Sequence, residues 1–202
     1  MKSMTLRASV SALCAVMLAG CGGSDDGNLV LQVTVTGLTK TGLILQNGNE
    51  TITINGGTGG ATQKATFPTL IPEDSTLAVK IAQQPLASNC KFADGTNGVK
   101  ANYYSALRVE INCTTNSYTL GGTVSGLTSA GLKLNNGANV LDVPAGATSF
   151  TFSDKQQQVA DGAIYAVTVA SNPAGLVCDI ANNAGVMPSG PVTNIAVTCR
   201  QP

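Results

Sequence analysis

Side chains able to do chemistry are sparse in this sequence. Its 202 residues hold six cysteines and no histidine, with eleven acidic and eleven basic groups. The missing imidazole removes Ser/His/Asp and Cys/His nucleophilic catalysis. It also removes the commonest partner of cysteine in a zinc site. A carboxylate pair or a Ser/Lys dyad is what remains. Glu73 and Asp74 are adjacent in "PED", but neighbours in a turn point apart, so the pair reads as a solvated turn. "DGTNG" at 94–98 starts like a calcium loop, yet Ser105 stands where the closing bidentate acid is needed. "NGGTGG" at 55–60 lacks the trailing lysine of a phosphate loop and reads as a glycine hairpin. No catalytic residue, metal ligand or cofactor is expected, and a carboxylate hydrolase is the least favoured reading.

The cysteines carry more information. Residues 1 to 20 combine Lys2 and Arg7 with an apolar run from Ala8 to Ala19, the pattern of a secretory signal. That run is shorter than the roughly 20 residues a helix needs to cross a bilayer core. Leu18-Ala19-Gly20-Cys21 closes the segment and resembles the lipobox of bacterial lipoproteins in all four positions. The resemblance implies diacylglycerol on the Cys21 thiol, cleavage before Cys21, and acylation of the new amino terminus. Several acyl chains, palmitate among them, hold a protein where one chain holds it only marginally. Gly22 and Gly23 follow in place of an aspartate, which in Gram-negative lipoproteins implies export to the outer membrane. Residues 21–28, "CGGSDDGN", read as the lipidated cysteine and a flexible tether.

The rest of the chain is written twice. "VTGLTKTGLILQNGN" at 35–49 lies over "VSGLTSAGLKLNNGAN" from 124, with nine identities in fourteen positions. Pro85, Cys90 and Cys113 have counterparts in Pro173, Cys178 and Cys199. Inside each copy the apolar period is two, the mark of half-buried strands. Leu31, Val33 and Val35 alternate with Gln32, Thr34 and Thr36, Leu77, Val79 and Ile81 with Ala78, Lys80 and Ala82, and Leu107, Val109, Ile111 and Cys113 with Arg108, Glu110 and Asn112. Gly, Asn, Asp and Pro clusters separate these runs at hairpin intervals. The fold class is all-β: two tandem immunoglobulin-like antiparallel β-sandwich domains after a lipoprotein signal peptide. The boundaries are a signal at 1–20, the anchor and tether at 21–28, repeat 1 at 29–113, a linker "TTNSY" at 114–118, and repeat 2 at 119–200.

With Cys14 inside the signal and Cys21 acylated, each copy keeps one pair of cysteines. Cys90 is in phase with Ser88 and Phe92, and Cys178 with Leu176 and Ile180. Inward, paired thiols in an exported protein predict disulfides Cys90–Cys113 and Cys178–Cys199. The mature region also resembles the tandem repeats of bacterial exported proteins and lipoproteins, through "GGTVSGLTSAGLKLNNG", "SFTFSD", "YAVTVASNPAGLVC" and "NIAVTC". That resemblance implies a sandwich module and no catalytic residue.

Charge and composition bound the partners. Charged residues make up 11%, against about 25% in average proteins. Without the first twenty residues the acidic groups outnumber the basic ones, which leaves no electrostatic footprint for nucleic acid. One loop breaks the symmetry: "GVKANYYSAL" at 98–107 where the second copy has "GVMPSGPV". Lys100, Asn102, Tyr103 and Tyr104 make this the candidate binding loop, for a protein or glycan partner. The reading is a membrane-anchored surface lipoprotein acting as an adhesive, stalk or interaction module. The alternative is a structural accessory in cell-envelope assembly.

Overall fold

The structure, a computed structural model, describes residues 27–202. The signal peptide, Cys14, Cys21 and tether residues 22–26 lie outside the described residues. Repeat 1 runs through β1 (Asn28–Leu29), β2 (Gln32–Thr36), β3 (Leu43–Asn47), β4 (Glu50–Ile54), β5 (Gln63–Thr66), β6 (Ile71–Pro72), β7 (Lys80–Gln83), β8 (Ser88–Phe92), the single-turn helix α1 (Tyr103–Ala106) and β9 (Val109–Thr115). Repeat 2 follows with β10 (Ser117–Tyr118), β11 (Leu120–Ser125), β12 (Leu132–Asn136), β13 (Asn139–Val143), β14 (Ser149–Phe152), β15 (Val159–Ala160), β16 (Ile164–Ser171), β17 (Val177–Ala181), β18 (Ala184–Val186) and β19 (Val192–Arg200).

Alternation of apolar and polar residues produces the layers. In β2, Val33 and Val35 are buried while Gln32, Thr34 and Thr36 stay partly wet. In β9, Val109, Ile111 and Cys113 turn inward and Glu110, Asn112 and Thr114 outward. Each repeat closes two sheets over its own core. Repeat 1 has the order β5-β2-β9-β8 facing β4-β3-β7; repeat 2 has β14-β11-β19-β17 facing β13-β12-β16-β18. Leu31, Leu45, Phe67 and Ile111 centre the first core, and Leu120, Leu134, Phe152 and Ile195 the second. The two cores share no residue, so each repeat buries its own apolar faces.

Both disulfides are present, Cys90–Cys113 and Cys178–Cys199. Each joins directly opposed residues of antiparallel neighbours, in β8 and β9 and in β17 and β19. They therefore staple an edge strand to its own sheet on the face turned to the core.

The pairing departs from a wholly antiparallel sandwich at one place in each repeat. β2 pairs with β9 in parallel, Val33 opposite Val109 and Thr36 opposite Asn112. β11 pairs with β19 the same way, Thr123 opposite Ala196 and Ser125 opposite Thr198. The reason is steric and topological: parallel neighbours need a long crossover, and the first and last strands of a domain have the whole domain as theirs. The ends of these pairs are packed closely. Gly37 (φ +72°) and Gly126 (φ +73°) occupy the left-handed region, where a Cβ would lie 2.3 Å from the Cys113 carbonyl oxygen and 2.0 Å from that of Cys199.

Parallel first and last strands also set direction. The chain enters each repeat at one pole, termed incoming, and leaves at the opposite, outgoing pole. The expected five-residue linker at 114–118 is absent as a loop. β9 extends to Thr115, and β10 already pairs with β15 of repeat 2. Asn116 alone separates the two strands, its amide bonded to Ala87 O and its carbonyl accepting from the Asp161 amide. Extended backbone with a partner on each side is satisfied as strand, so the polar composition of "TTNSY" misleads. A second local difference lies at Leu77 and Val79. Both are buried, but the β7 ladder starts only at Lys80. Leu77 exchanges backbone bonds with Gly98 and Val99, and Val79 bonds the Asn97 amide side chain.

Candidate functional site

The loop at 98–107 lies immediately before β9, hence at the incoming pole of repeat 1. Its rings are held by local backbone chemistry. Asn102, in extended geometry, caps α1: its Oδ1 accepts from the amides of Tyr104 and Ser105 at 3.0 Å each. Ser105 Oγ accepts from the Asn102 amide and donates to Lys100 O, both at 2.8 Å. This reciprocal capping box satisfies donors that a helix start leaves open. Ala101 and Ala106 are fully buried and root the turn in the core. Tyr103 and Tyr104 project outward, 65% and 75% exposed, edge to face with centroids 5.4 Å apart. Asn102 Oδ1 is thus occupied in capping, while the residue also lines the cleft beside Tyr104. Lys100 is exposed, and its backbone bridges Thr76.

Two hollows flank the rings. A cleft of about 300 Å³ is lined by residues that include Asp94, Thr96, Asn102, Tyr104, Ser105 and Arg108. A smaller, mainly apolar hollow of about 160 Å³ is lined by Asn28, Leu29, Val30, Tyr103 and Leu107. The second hollow brings the tyrosine loop against the first described residues of the chain. The loop accordingly lies beside the incoming segment, at the pole opposite to repeat 2.

The other motifs resolve as turns. In 94–98, Thr96 Oγ1 donates to Ala93 O at 2.9 Å and accepts from the Glu110 amide at 3.2 Å. Asn97 bonds both backbone groups of Val79. These side-chain oxygens are turned to backbone, and among the described residues no group of three His, Cys, Asp or Glu gathers as metal ligands. Glu73 and Asp74 are exposed, their amides bonded to Gly27 O and Ala101 O. The segment at 55–60 forms a short 3₁₀ turn at Thr58–Gly60 against Gly37 and Leu38. No helix among the described residues is long and apolar enough to cross a membrane.

One site was not singled out from sequence: the joint between the repeats. Lys40, in the outgoing-pole turn of repeat 1, places Nζ 2.5 Å from Asp161 Oδ2. Ser189 Oγ donates to Asp161 Oδ1 at 2.8 Å. The Asp161 side chain is 2% exposed and that of Lys40 35%. The hydrogen bond from Lys40 holds the Asp161 carboxyl below the ordinary carboxylate range; burial opposes this, and Ser189 and the lysine charge assist it. The signal in the sequence is the broken repeat symmetry: Lys40 stands where the second copy has Ser129, and Asp161 where the first has Glu73.

No family model matches the sequence, and no curated protein matches it. Among solved structures, the Bacillus anthracis TIE protein aligns with a TM-score of 0.46 and 14% identity over 85% of this chain. The chain spans about a third of that protein, 34% of its length. The major pilin protein of Streptococcus pyogenes aligns with a TM-score of 0.34 and 10% identity, over 86% of this chain and 97% of the pilin. A shaft pilin from Lactobacillus rhamnosus GG aligns with a TM-score of 0.25 and 14% identity, over 85% of this chain and 99% of the pilin.

Proposed function

We propose that the chain is a lipid-anchored, non-catalytic stalk of the bacterial envelope. Through Cys21 it stands on the outer membrane and carries its outgoing pole away from the bilayer as an adhesive or protein-interaction module. The observation that supports this reading is direction. In each repeat the first long strand, β2 or β11, runs parallel to the last, β9 or β19, so the chain enters at one pole and leaves at the other. Asn116 alone separates the two repeats, and an ion pair crosses their joint. Two domains so connected add length along one axis, as a spacer requires. Glu73 and Asp74 of the "PED" turn are both exposed, so no difference in burial divides them into acid and base, in keeping with a scaffold.

The test is Cys21→Ser in the native host. The variant is expected to accumulate as unprocessed precursor, to take up no fatty-acid label, and to leave the membrane fraction on washing. A Cys21→Ser protein that still carries label and floats with membranes would overturn the anchor.

A further inference from the structure

The incoming pole of repeat 1 has a composition unlike the rest of that domain. The exposed large apolar residues of repeat 1 are Val30, Leu70, Leu86, Tyr103 and Tyr104. All but Leu86 belong to segments at the incoming pole: Val30 precedes β2, Leu70 joins β5 to β6, and the tyrosines precede β9. The equivalent pole of repeat 2 is covered, because Asp161 and Ser189 meet Lys40 of repeat 1 there. Repeat 1 has no protein neighbour at this pole among the described residues. It carries two outward rings where repeat 2 has Ser189 and Gly190.

Chain length brings a membrane within range. Gly27 bonds the Glu73 amide through its carbonyl, which fixes the start of the fold at this pole. From Cys21 to Gly27 are six peptide steps, and at ~3.3–3.6 Å each the pole cannot lie more than about 20 Å from the lipidated residue. Tyrosine suits that depth, since an apolar ring with a polar tip settles at the head-group level.

We infer that Tyr103, Tyr104, Val30 and Leu70 form an interfacial face on which the anchored protein rests against its own membrane. The inference depends on the proposed acylation of Cys21. Attraction to anionic head groups is not the driving force. Lys100 and Arg108 at this pole are outnumbered by Glu73, Asp74 and Asp94, and Asp25 and Asp26 precede it. The contact is apolar, insensitive to salt and to lipid charge. It sets the direction of the stalk, because a face with several inserted side chains resists tilting where a single tether does not.

The sequence has no tryptophan, so Tyr104→Trp introduces a single indole at this face, and Ala174→Trp introduces one in an exposed turn at the outgoing pole of repeat 2. Each variant is purified from envelopes as the full processed protein and reconstituted into phosphatidylcholine vesicles containing brominated lipid, with and without phosphatidylglycerol. Flotation and the mass of the Cys21 peptide report the anchor. Quenching reports the face. The expected result is strong quenching at position 104, several-fold above that at 174, unchanged by salt or phosphatidylglycerol. Tyr103→Ala with Tyr104→Ala should keep the melting temperature while removing the fixed orientation, read as equal proteolytic access to both poles. An acylated, floating protein with no quenching at 104 overturns the face and leaves the anchor standing. An unacylated, soluble protein overturns both. Specific capture of a glycan or protein at the tyrosines, without quenching, would make the loop a recognition site and overturn the membrane contact.

Discussion

Breaking the ion pair at the joint should uncouple the repeats. Lys40→Met removes the cation and leaves the Asp161 carboxylate with Ser189 as its remaining side-chain partner; Asp161→Asn keeps the Ser189 bond and removes the charge. Exposed ion pairs contribute about 0.2–1 kcal/mol, while orphaning a fully buried one costs about 3–5 kcal/mol. Here the acid is buried and the lysine 35% exposed, so water screens one side, and a coupling of about 1–2 kcal/mol follows. A urea-denaturation cycle of the wild type, both single variants and the double variant isolates that pairwise contribution. X-ray scattering of the same four proteins reports the spread of inter-repeat angles, which should widen equally in all three variants. The pH dependence has a definite sign. Because the folded carboxyl lies below its unfolded value of about 3.9, the contribution is complete above that pH and is lost as pH falls through the lower, folded value. Stability of the wild-type joint should therefore be flat across neutral pH and decline only in strong acid. In Lys40→Met the decline should begin at higher pH, since the lysine contact, the largest of the influences that lower the carboxyl, is gone. Additive single effects, within about 0.3 kcal/mol, together with unchanged scattering, would refute the joint as a lock.

Two further perturbations test the fold of the two repeats. Replacing both Cys90 and Cys113 by Ser opens a loop with a sequence separation of 23 and should lower the stability of repeat 1 by about 3.4 kcal/mol in the chain-entropy model, read from its urea midpoint with repeat 2 unaffected. Gly126→Ala places a Cβ 2.0 Å from the Cys199 carbonyl oxygen, whereas Gly137→Ala, also at positive φ, meets nothing within 4 Å. The first should cost more than about 2 kcal/mol and the second about 1 kcal/mol, so equal losses in thermal unfolding would mean that the close approach of β11 to β19 is not required.

Much of this protein is decided locally, and that part is legible in the sequence. The period of two assigns Val33, Val35, Val109 and Ile111 to the inward face whatever their partners, because successive strand side chains point to opposite sides. The duplicated segments at 35–49 and 124–139 announce two copies of one domain, and inward cysteines, one pair to each copy, announce the two disulfides. Pairing direction is another matter. The alternation in β2 is the same beside an antiparallel or a parallel neighbour, so the parallel β2–β9 contact is decided only when distant strands meet in the closed sheet. Three consequences depend on that contact. The polar run "TTNSY" becomes paired strand around Asn116; the tyrosine loop falls at the incoming pole, opposite to repeat 2; and Lys40 comes within 2.5 Å of Asp161 across the joint. Local chemistry fixes which face a side chain takes, whereas the pole it occupies and the charge it meets belong to long-range closure of the domain.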